Sequence, residues 1–200
     1  MWGTLLWIVV GLGNPGPEYE VSRHNVGFRV VDTLADRAGV TLTRCRYRSL
    51  FVRGSIHGAQ VLLIKPLTFM NESGFSVSRW QQALRLDPGR IIVVHDDLDL
   101  PPSQLRIRVG GGHGGHRGIR SVIEAIGSSD FLRVKVGIGR PQDGQDAVTH
   151  VLGPFEECDG GVLEAAIQRA ADAVEAVMQE GFEVAMNRYN VRGARQTRMA

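Results

Sequence analysis

Leu5-Leu-Trp-Ile-Val-Val-Gly-Leu12 is an unbroken apolar run that ends in a glycine turn. A strand with one wet face alternates apolar and polar residues. An unbroken run reads as a strand buried on both faces, as in a parallel or mixed sheet covered by helices. Ile91 to Val94 is a second run of this kind. Between such runs the period changes. Phe28, Val31, Leu34 and Ala35 recur at helical spacing and predict a helix from Val26 to Ala38, closed near Gly39. Ser73 to Leu86 predicts another, stopping before Asp87-Pro88-Gly89. Strands interspersed with helices predict an α/β fold, a single domain with a mixed β-sheet surrounded by helices.

The remaining segments extend this pattern. Ser49 to Ile56 and Gln60 to Ile64 flank His57-Gly58 and read as a hairpin. Gln104 to Val109 and Leu132 to Ile138 alternate, with Arg106 and Arg108 on the polar face of the first and Arg133 and Lys135 on that of the second. The segment from His95 to Pro102 reads as a loop. Ile119 to Ile126 reads as a short helix. Val162 to Met178 reads as a long amphipathic one through Leu163, Ile167, Ala170, Val174 and Val177. The domain is expected over residues 1–190, with 191–200 a basic tail carrying Arg192, Arg195 and Arg198.

At 200 residues, 43% hydrophobic and 22% charged, the chain fits one soluble globular domain. Cys45 and Cys158 form no metal-like spacing and no disulfide framework, so the expected compartment is the reducing cytoplasm. No secretory signal is expected, because the first apolar run is short and lacks a basic flank. No apolar run is long enough to span a bilayer. The net charge of +2 hides an uneven distribution. Arg106, Arg108, Arg117, Arg120, Arg133, Lys135 and Arg140 face only Glu124 and Asp130 in their stretch, whereas 156–183 is acidic apart from Arg169. One positive face is expected, and an anionic partner such as nucleic acid would suit it.

Asn14, His24, Asn71 and Asp96 each lie in an irregular segment bounded by glycine or proline, or just past an apolar run. Residues just beyond strand ends converge on one crevice in an α/β sheet. Two amides, an imidazole and a carboxylate can orient and activate a water. His24 would be the general base, and Asp96 would fix its tautomer. Asn14 and Asn71 would hold a carbonyl or an oxyanion. Asn71 or Ser73 could equally cap the following helix. No serine or cysteine stands in a nucleophile-like setting, so direct attack by water is expected rather than a covalent intermediate. Gly11-Leu-Gly-Asn-Pro-Gly16 formally matches the dinucleotide fingerprint, but Pro17 follows where a helix should open, so no nucleotide cofactor is expected. His95-Asp96-Asp97 and His113-Gly-Gly-His116 resemble metal ligands only faintly, and no metal is expected. The glycine-rich segment from Gly110 to Gly118 could cradle a phosphate, with Arg117 and Arg120 beside it.

These segments together resemble the bacterial-type peptidyl-tRNA hydrolase family. The resemblance runs from about Leu5 to about Tyr189. It rests on Gly11-Leu-Gly-Asn-Pro-Gly-Pro-Glu-Tyr19, Ser22-Arg-His-Asn-Val-Gly27, Lys65-Pro-Leu-Thr-Phe-Met-Asn-Glu-Ser-Gly74, His95-Asp-Asp-Leu-Asp-Leu-Pro-Pro102, Gly110-Gly-Gly-His-Gly-Gly-His116 and Val136-Gly-Ile-Gly-Arg-Pro141. The resemblance implies an enzyme that hydrolyses the ester between a peptide and the 3′ end of tRNA, returning tRNA from aborted translation. It implies a monomer that needs no metal or cofactor. It assigns His24 as base and Asp96 as its orienting partner, with Asn14 and Asn71 on peptide and water. Tyr19 and Met70 would line the site, and His116 and Arg117 would bind substrate. The acceptor stem would meet Arg106, Arg108, Arg133 and Lys135. Arg117 stands where the family usually has Asn, Ser22 where Thr is usual and Lys135 where Arg is common. Arg117 cannot accept a hydrogen bond as an amide does, but it can bind phosphate. The same scaffold also resembles plant organellar proteins that bind RNA-splicing partners without hydrolysis, which is the alternative reading.

Overall fold

In the computed structural model, which describes residues 6–141, 146–154 and 160–190, β1 (Leu6–Gly11) runs through the middle of a seven-stranded sheet. It pairs in parallel with β4 (Ala59–Pro66) on one side and β5 (Ile91–Asp97) on the other. β2 (Arg44–Arg46) and β3 (Ser49–Ile56) extend the sheet antiparallel beyond β4. On the other side β7 (Leu132–Gly137) joins β5 in parallel, and β6 (Leu105–Val109) closes the sheet antiparallel to β7. The order is β2-β3-β4-β1-β5-β7-β6, so the sheet is mixed, as expected.

The two faces of β1 and β5 explain their unbroken apolar runs. Val9, Ile92 and Val94 enter a core with Val31 and Leu34 of α1 (Val26–Arg37) and Ile167 and Val174 of α5 (Gly160–Glu180). Ile8, Val10, Ile91 and Val93 enter a second core with Val77 and Trp80 of α2 (Ser73–Leu84) and Ile119 and Val122 of α3 (Arg117–Ile126). Either face left bare would expose a continuous apolar surface, so helices on both sides follow from the strand sequence. α6 (Phe182–Tyr189) packs beside α5 and over β6.

Several boundaries differ from the sequence reading. β5 continues through His95, Asp96 and Asp97, because these residues keep a ladder with Lys135, Val136 and Gly137 of β7. α2 stops at Leu84, where Arg85 adopts a left-handed conformation with φ 52°. Three elements were not read from the sequence: β2, α6 and α4 (Ala147–Leu152). α4 is capped by Asp146, whose carboxylate accepts from the N–H groups of Val148 and Thr149. The proposed tail at 191–200, the residues before Leu6 and Cys158 lie outside the described residues.

The glycines of the fingerprint-like motif serve packing. A Cβ on Gly11 would lie 2.1 Å from the Gly27 carbonyl oxygen, and one on Gly27 would lie 2.5 Å from the Leu12 nitrogen. The end of β1 and the first turn of α1 therefore touch backbone to backbone. That contact sets where the short 3-10 turn Arg23–Asn25, just before α1, enters the crevice.

Candidate active site

The crevice opens beyond the C-terminal ends of β1, β4 and β5, where the strand order reverses about β1. Asn14 follows β1, Met70 and Asn71 follow β4, and Asp96 sits near the end of β5. His24 comes from the turn before α1, and His116 from the N-terminus of α3.

Asp96 is the hub. It is 2% exposed, and its Oδ1 accepts from His24 Nδ1 at 2.7 Å and from His116 Nε2 at 3.0 Å. Burial by itself would raise its carboxyl pKa. The charges and hydrogen bonds of His24 and His116 outweigh burial and hold Asp96 well below the usual carboxylate range. It is therefore an acceptor only, and His24 must carry its proton on Nδ1. In the neutral ring that tautomer leaves Nε2 as the nitrogen able to take a proton.

The state of His116 follows from its other nitrogen. Nδ1 caps α3, accepting from the N–H groups of Gly118 at 3.1 Å and Ile119 at 3.2 Å. A neutral ring that accepts at Nδ1 must carry its proton on Nε2, where it donates to Asp96. The ligand atoms of His24, Asp96 and His116 lie within 4.8 Å of one another, a spacing at which a metal deserves a test. The cap argues against it. Metal binding at His116 Nε2 would need the ring to lose its last proton or to abandon two backbone donors. The donor set suits protons better than a metal.

His95 was not picked from the sequence for this cluster. Its ring stands edge-on to His116, with centroids 4.6 Å apart. Burial, and then the proximity of His116, push its pKa well below the ordinary imidazole value. Its Nδ1 lies 2.6 Å from the Asp96 carbonyl oxygen, and its buried Nε2 has no partner among the described residues. It is a neutral wall behind the His24–Asp96 pair. The sequence signal was present in His95-Asp96, but burial was not legible there.

Asn14 is buried, and both ends of its side-chain amide can be assigned. Oδ1 accepts from the Met70 N–H at 2.8 Å, so Nδ2 is left as the donor. Its own backbone is clamped by Asn25, whose Oδ1 accepts from the Asn14 N–H at 2.8 Å and whose Nδ2 donates to the Asn14 carbonyl at 3.0 Å. Asn25 is a second residue that sequence reasoning missed. Asn71 is exposed in the 3-10 turn Met70–Glu72 and forms no hydrogen bond with the histidine cluster. Neither Asn71 nor Ser73 caps α2, and the Ser73 hydroxyl donates instead to the Met70 carbonyl. Tyr19 is half-buried at the end of the turn Pro17–Tyr19, and Arg117 is exposed at the start of α3.

The expected basic face divides in two. Arg106 and Arg108 are exposed on β6. Arg133, across the ladder from Arg108, is 2% exposed and does not face solvent as the alternation predicted. Its guanidinium donates to the Gly112 carbonyl at 2.7 Å and also to the Gly111 carbonyl, tying down the glycine-rich loop. Lys135 is likewise spent internally, in an ion pair with Asp97. Both side chains point to the predicted face of β7, but the glycine-rich loop and the end of β5 cover that face.

Behind His24, α4 is laced to the turn that carries it. Arg23 N–H donates to the Gly153 carbonyl and its guanidinium to the His150 carbonyl, and Ser22 bridges to Pro154.

A family model described as peptidyl-tRNA hydrolase matches residues 8–198. A peptidyl-tRNA hydrolase of Chloroflexus aggregans is 46% identical over 186 residues, covering 92% of this chain and 99% of that protein. One from Moorella thermoacetica is 46% identical over 188 residues, covering 94% and 99%. The crystal structure of peptidyl-tRNA hydrolase from Acinetobacter baumannii superposes with a TM-score of 0.88 at 38% identity, covering 94% of this chain and 96% of that one.

Proposed function

The chain belongs to the peptidyl-tRNA hydrolase family and is a hydrolase of peptidyl-tRNA, and we propose that His24 is its general base, aimed by Asp96 at a water. The observation that carries this reading is the 2.7 Å bond from His24 Nδ1 to an ionised, buried Asp96, which leaves Nε2 as the basic nitrogen. His24 Nε2 takes a proton from water as the oxygen attacks the carbonyl of the ester joining the peptide to the 3′-terminal ribose. The carbonyl oxygen becomes an oxyanion, and the Nδ2–H donors of Asn14 stabilise it. The intermediate collapses by breaking the bond to the ribose oxygen. That oxygen leaves with the proton returned from His24, giving a peptide acid and free tRNA. No covalent enzyme intermediate is needed.

Asn71 and Tyr19 suit backbone contacts with the peptide, which lets the cleft accept many sequences. Met70 positions Asn14 through its N–H. Arg106 and Arg108 hold acceptor-stem phosphates, and Arg117 adds a charge at the start of α3. His116 supports Asp96 rather than touching phosphate. The protein works as a monomer in the cytoplasm and needs no cofactor. The alternative of an RNA-binding homologue without hydrolysis has no support among the relatives, and the complete His24–Asp96 pair favours hydrolysis.

The test is release of free tRNA from an N-blocked aminoacyl-tRNA, with and without a chelator. Wild type should release it in both conditions. His24→Ala should fold and lose turnover by about 10²–10⁴-fold, the usual contribution of a general base. Full activity in His24→Ala would remove the base from this mechanism, and loss of wild-type activity with chelator would remove its metal independence.

A further inference from the structure

The sequence carries no acidic residue between Asp36 and Glu72, while Arg44, Arg46, Arg48 and Arg53 fall in this interval. The fold places three of these arginines beside α2. Arg44 and Arg46 lie on β2, the edge strand opposite β6, and Arg48 follows in the turn into β3. Arg44 stands over the Phe51 ring at 5.4 Å and Arg46 over the Tyr47 ring at 4.7 Å. Arg48 and Arg79 both approach Phe75 of α2, at 5.7 and 5.5 Å. Phe75 is 40% exposed.

Several cations elsewhere are neutralised within the chain, although among the described residues Arg106 and Arg108 on β6 are not. Arg29, Arg37, Lys65, Arg120, Lys135, Arg140 and Arg188 all hold carboxylates. In the β2–α2 group, Glu72 pairs with Arg48 at 3.3 Å, and Arg44, Arg46 and Arg79 have no acidic partner among the described residues. Clustered like charges repel, and an anion from outside relieves that repulsion. Beside them a cleft of about 600 Å³ runs between α2 and α3, with Arg48, Phe75, Arg79 and Ser121 in its lining and Glu72 as its one acidic residue.

We propose that this β2–α2 surface is a second RNA-binding site, which takes a single-stranded segment without regard to sequence: Phe75 stacks a base over the cleft while Arg46, Arg48 and Arg79 hold the flanking phosphates. The cations are all arginines, whose planar forks match phosphate oxygens and stack on bases, and one partly exposed ring lies among them. No apolar helix face accompanies them to enter a lipid surface. The site is separate from Arg106 and Arg108. Six strand spacings of about 4.8 Å put the two edges of the sheet about 29 Å apart. Arg44 and Arg46 lie over the core face that holds Phe51 and Trp80, whereas Leu105 and Ile107 enter the other core, so Arg106 and Arg108 emerge on the same side as Arg44 and Arg46. One RNA can reach both groups from that side.

The experiment measures binding of a labelled twelve-residue oligouridylate to the full chain, across salt from about 50 to 200 mM. Arg46→Ala with Arg79→Ala should weaken binding at least ten-fold and flatten the log–log salt slope by about 1.4, at roughly 0.7 per lost phosphate contact on a single strand. Phe75→Ala should weaken binding without changing the slope, and Phe75→Tyr should restore it. All these positions are exposed, so thermal melts should match wild type. Release of tRNA from an N-blocked aminoacyl acceptor-stem minihelix should be unchanged, which separates failure of this site from failure of the hydrolase assignment. Equal oligouridylate affinity in wild type and the double variant would overturn the proposal. So would a difference confined to phosphatidylserine vesicles, which would assign the surface to membranes.

Discussion

Asp96 receives two imidazole N–H groups on one oxygen, and that convergence fixes the proton positions of both rings. A charged acceptor cannot be misread by His24. An amide can: if Asn at this position turned its NH2 toward His24, Nδ1 would become the acceptor and the proton would move to Nε2, the atom proposed to take the proton from water. Asp96→Asn should therefore fold with wild-type circular dichroism yet lower the single-turnover rate by about 10²–10⁴-fold. A loss under three-fold would mean that the carboxylate does not set the tautomer. The residue types of this site were legible in the sequence, and so was the pairing of His24 with Asp96 as chemistry. The sharing of Asp96 with His116 was not, because the sequence offers His116 only as a substrate contact in a glycine-rich loop. Its role emerges only from the cap that Nδ1 makes with Gly118 and Ile119.

β7 illustrates what alternation says and omits. The period of two correctly separates Leu132, Val134 and Val136 from Arg133 and Lys135. It cannot report what covers the polar side. The carbonyls of Gly111 and Gly112 lie over Arg133, so the guanidinium acts as a latch on the loop that leads to His116 and α3. Arg133→Met should speed amide exchange across residues 111–115 and reduce turnover, while the salt dependence of tRNA binding keeps its slope. If Arg133 instead contacted phosphate, the slope would become shallower by about 0.7–0.9. The lysine analogue would keep the charge but not the fork, so Arg133→Lys should fall between the two. The glycine motif after β1 needs the same kind of reading: it looked like a nucleotide loop, but Gly11 is small because Gly27 presses against it.

The whole molecule carries a pH dependence set in its core. His95 has a folded pKa well below its unfolded value of about 6.5, so the unfolded chain binds the extra proton between those values. Stability is therefore full above about pH 6.5 and falls as pH drops toward the folded value. Asp96, with its folded pKa depressed, adds a second loss that begins only below about pH 3.9. Melting temperature should decline between about pH 6.5 and 5, and His95→Gln should reduce that decline; equal slopes in both proteins would remove His95 as its source. The α/β class, the buried central strands, the hairpin of β3 and β4 and the helices over 26–37 and 73–84 were determined by the sequence itself, because burial on two faces, one face or none leaves a local period in the residues. The tertiary structure alone decided which polar groups remain free to act. His24 meets Asp96 across 72 residues of chain, and Asn14 meets Met70 across 56. A side chain's residue type states what it can donate or accept, but whether that capacity is already used depends on partners that only folding brings within hydrogen-bond reach.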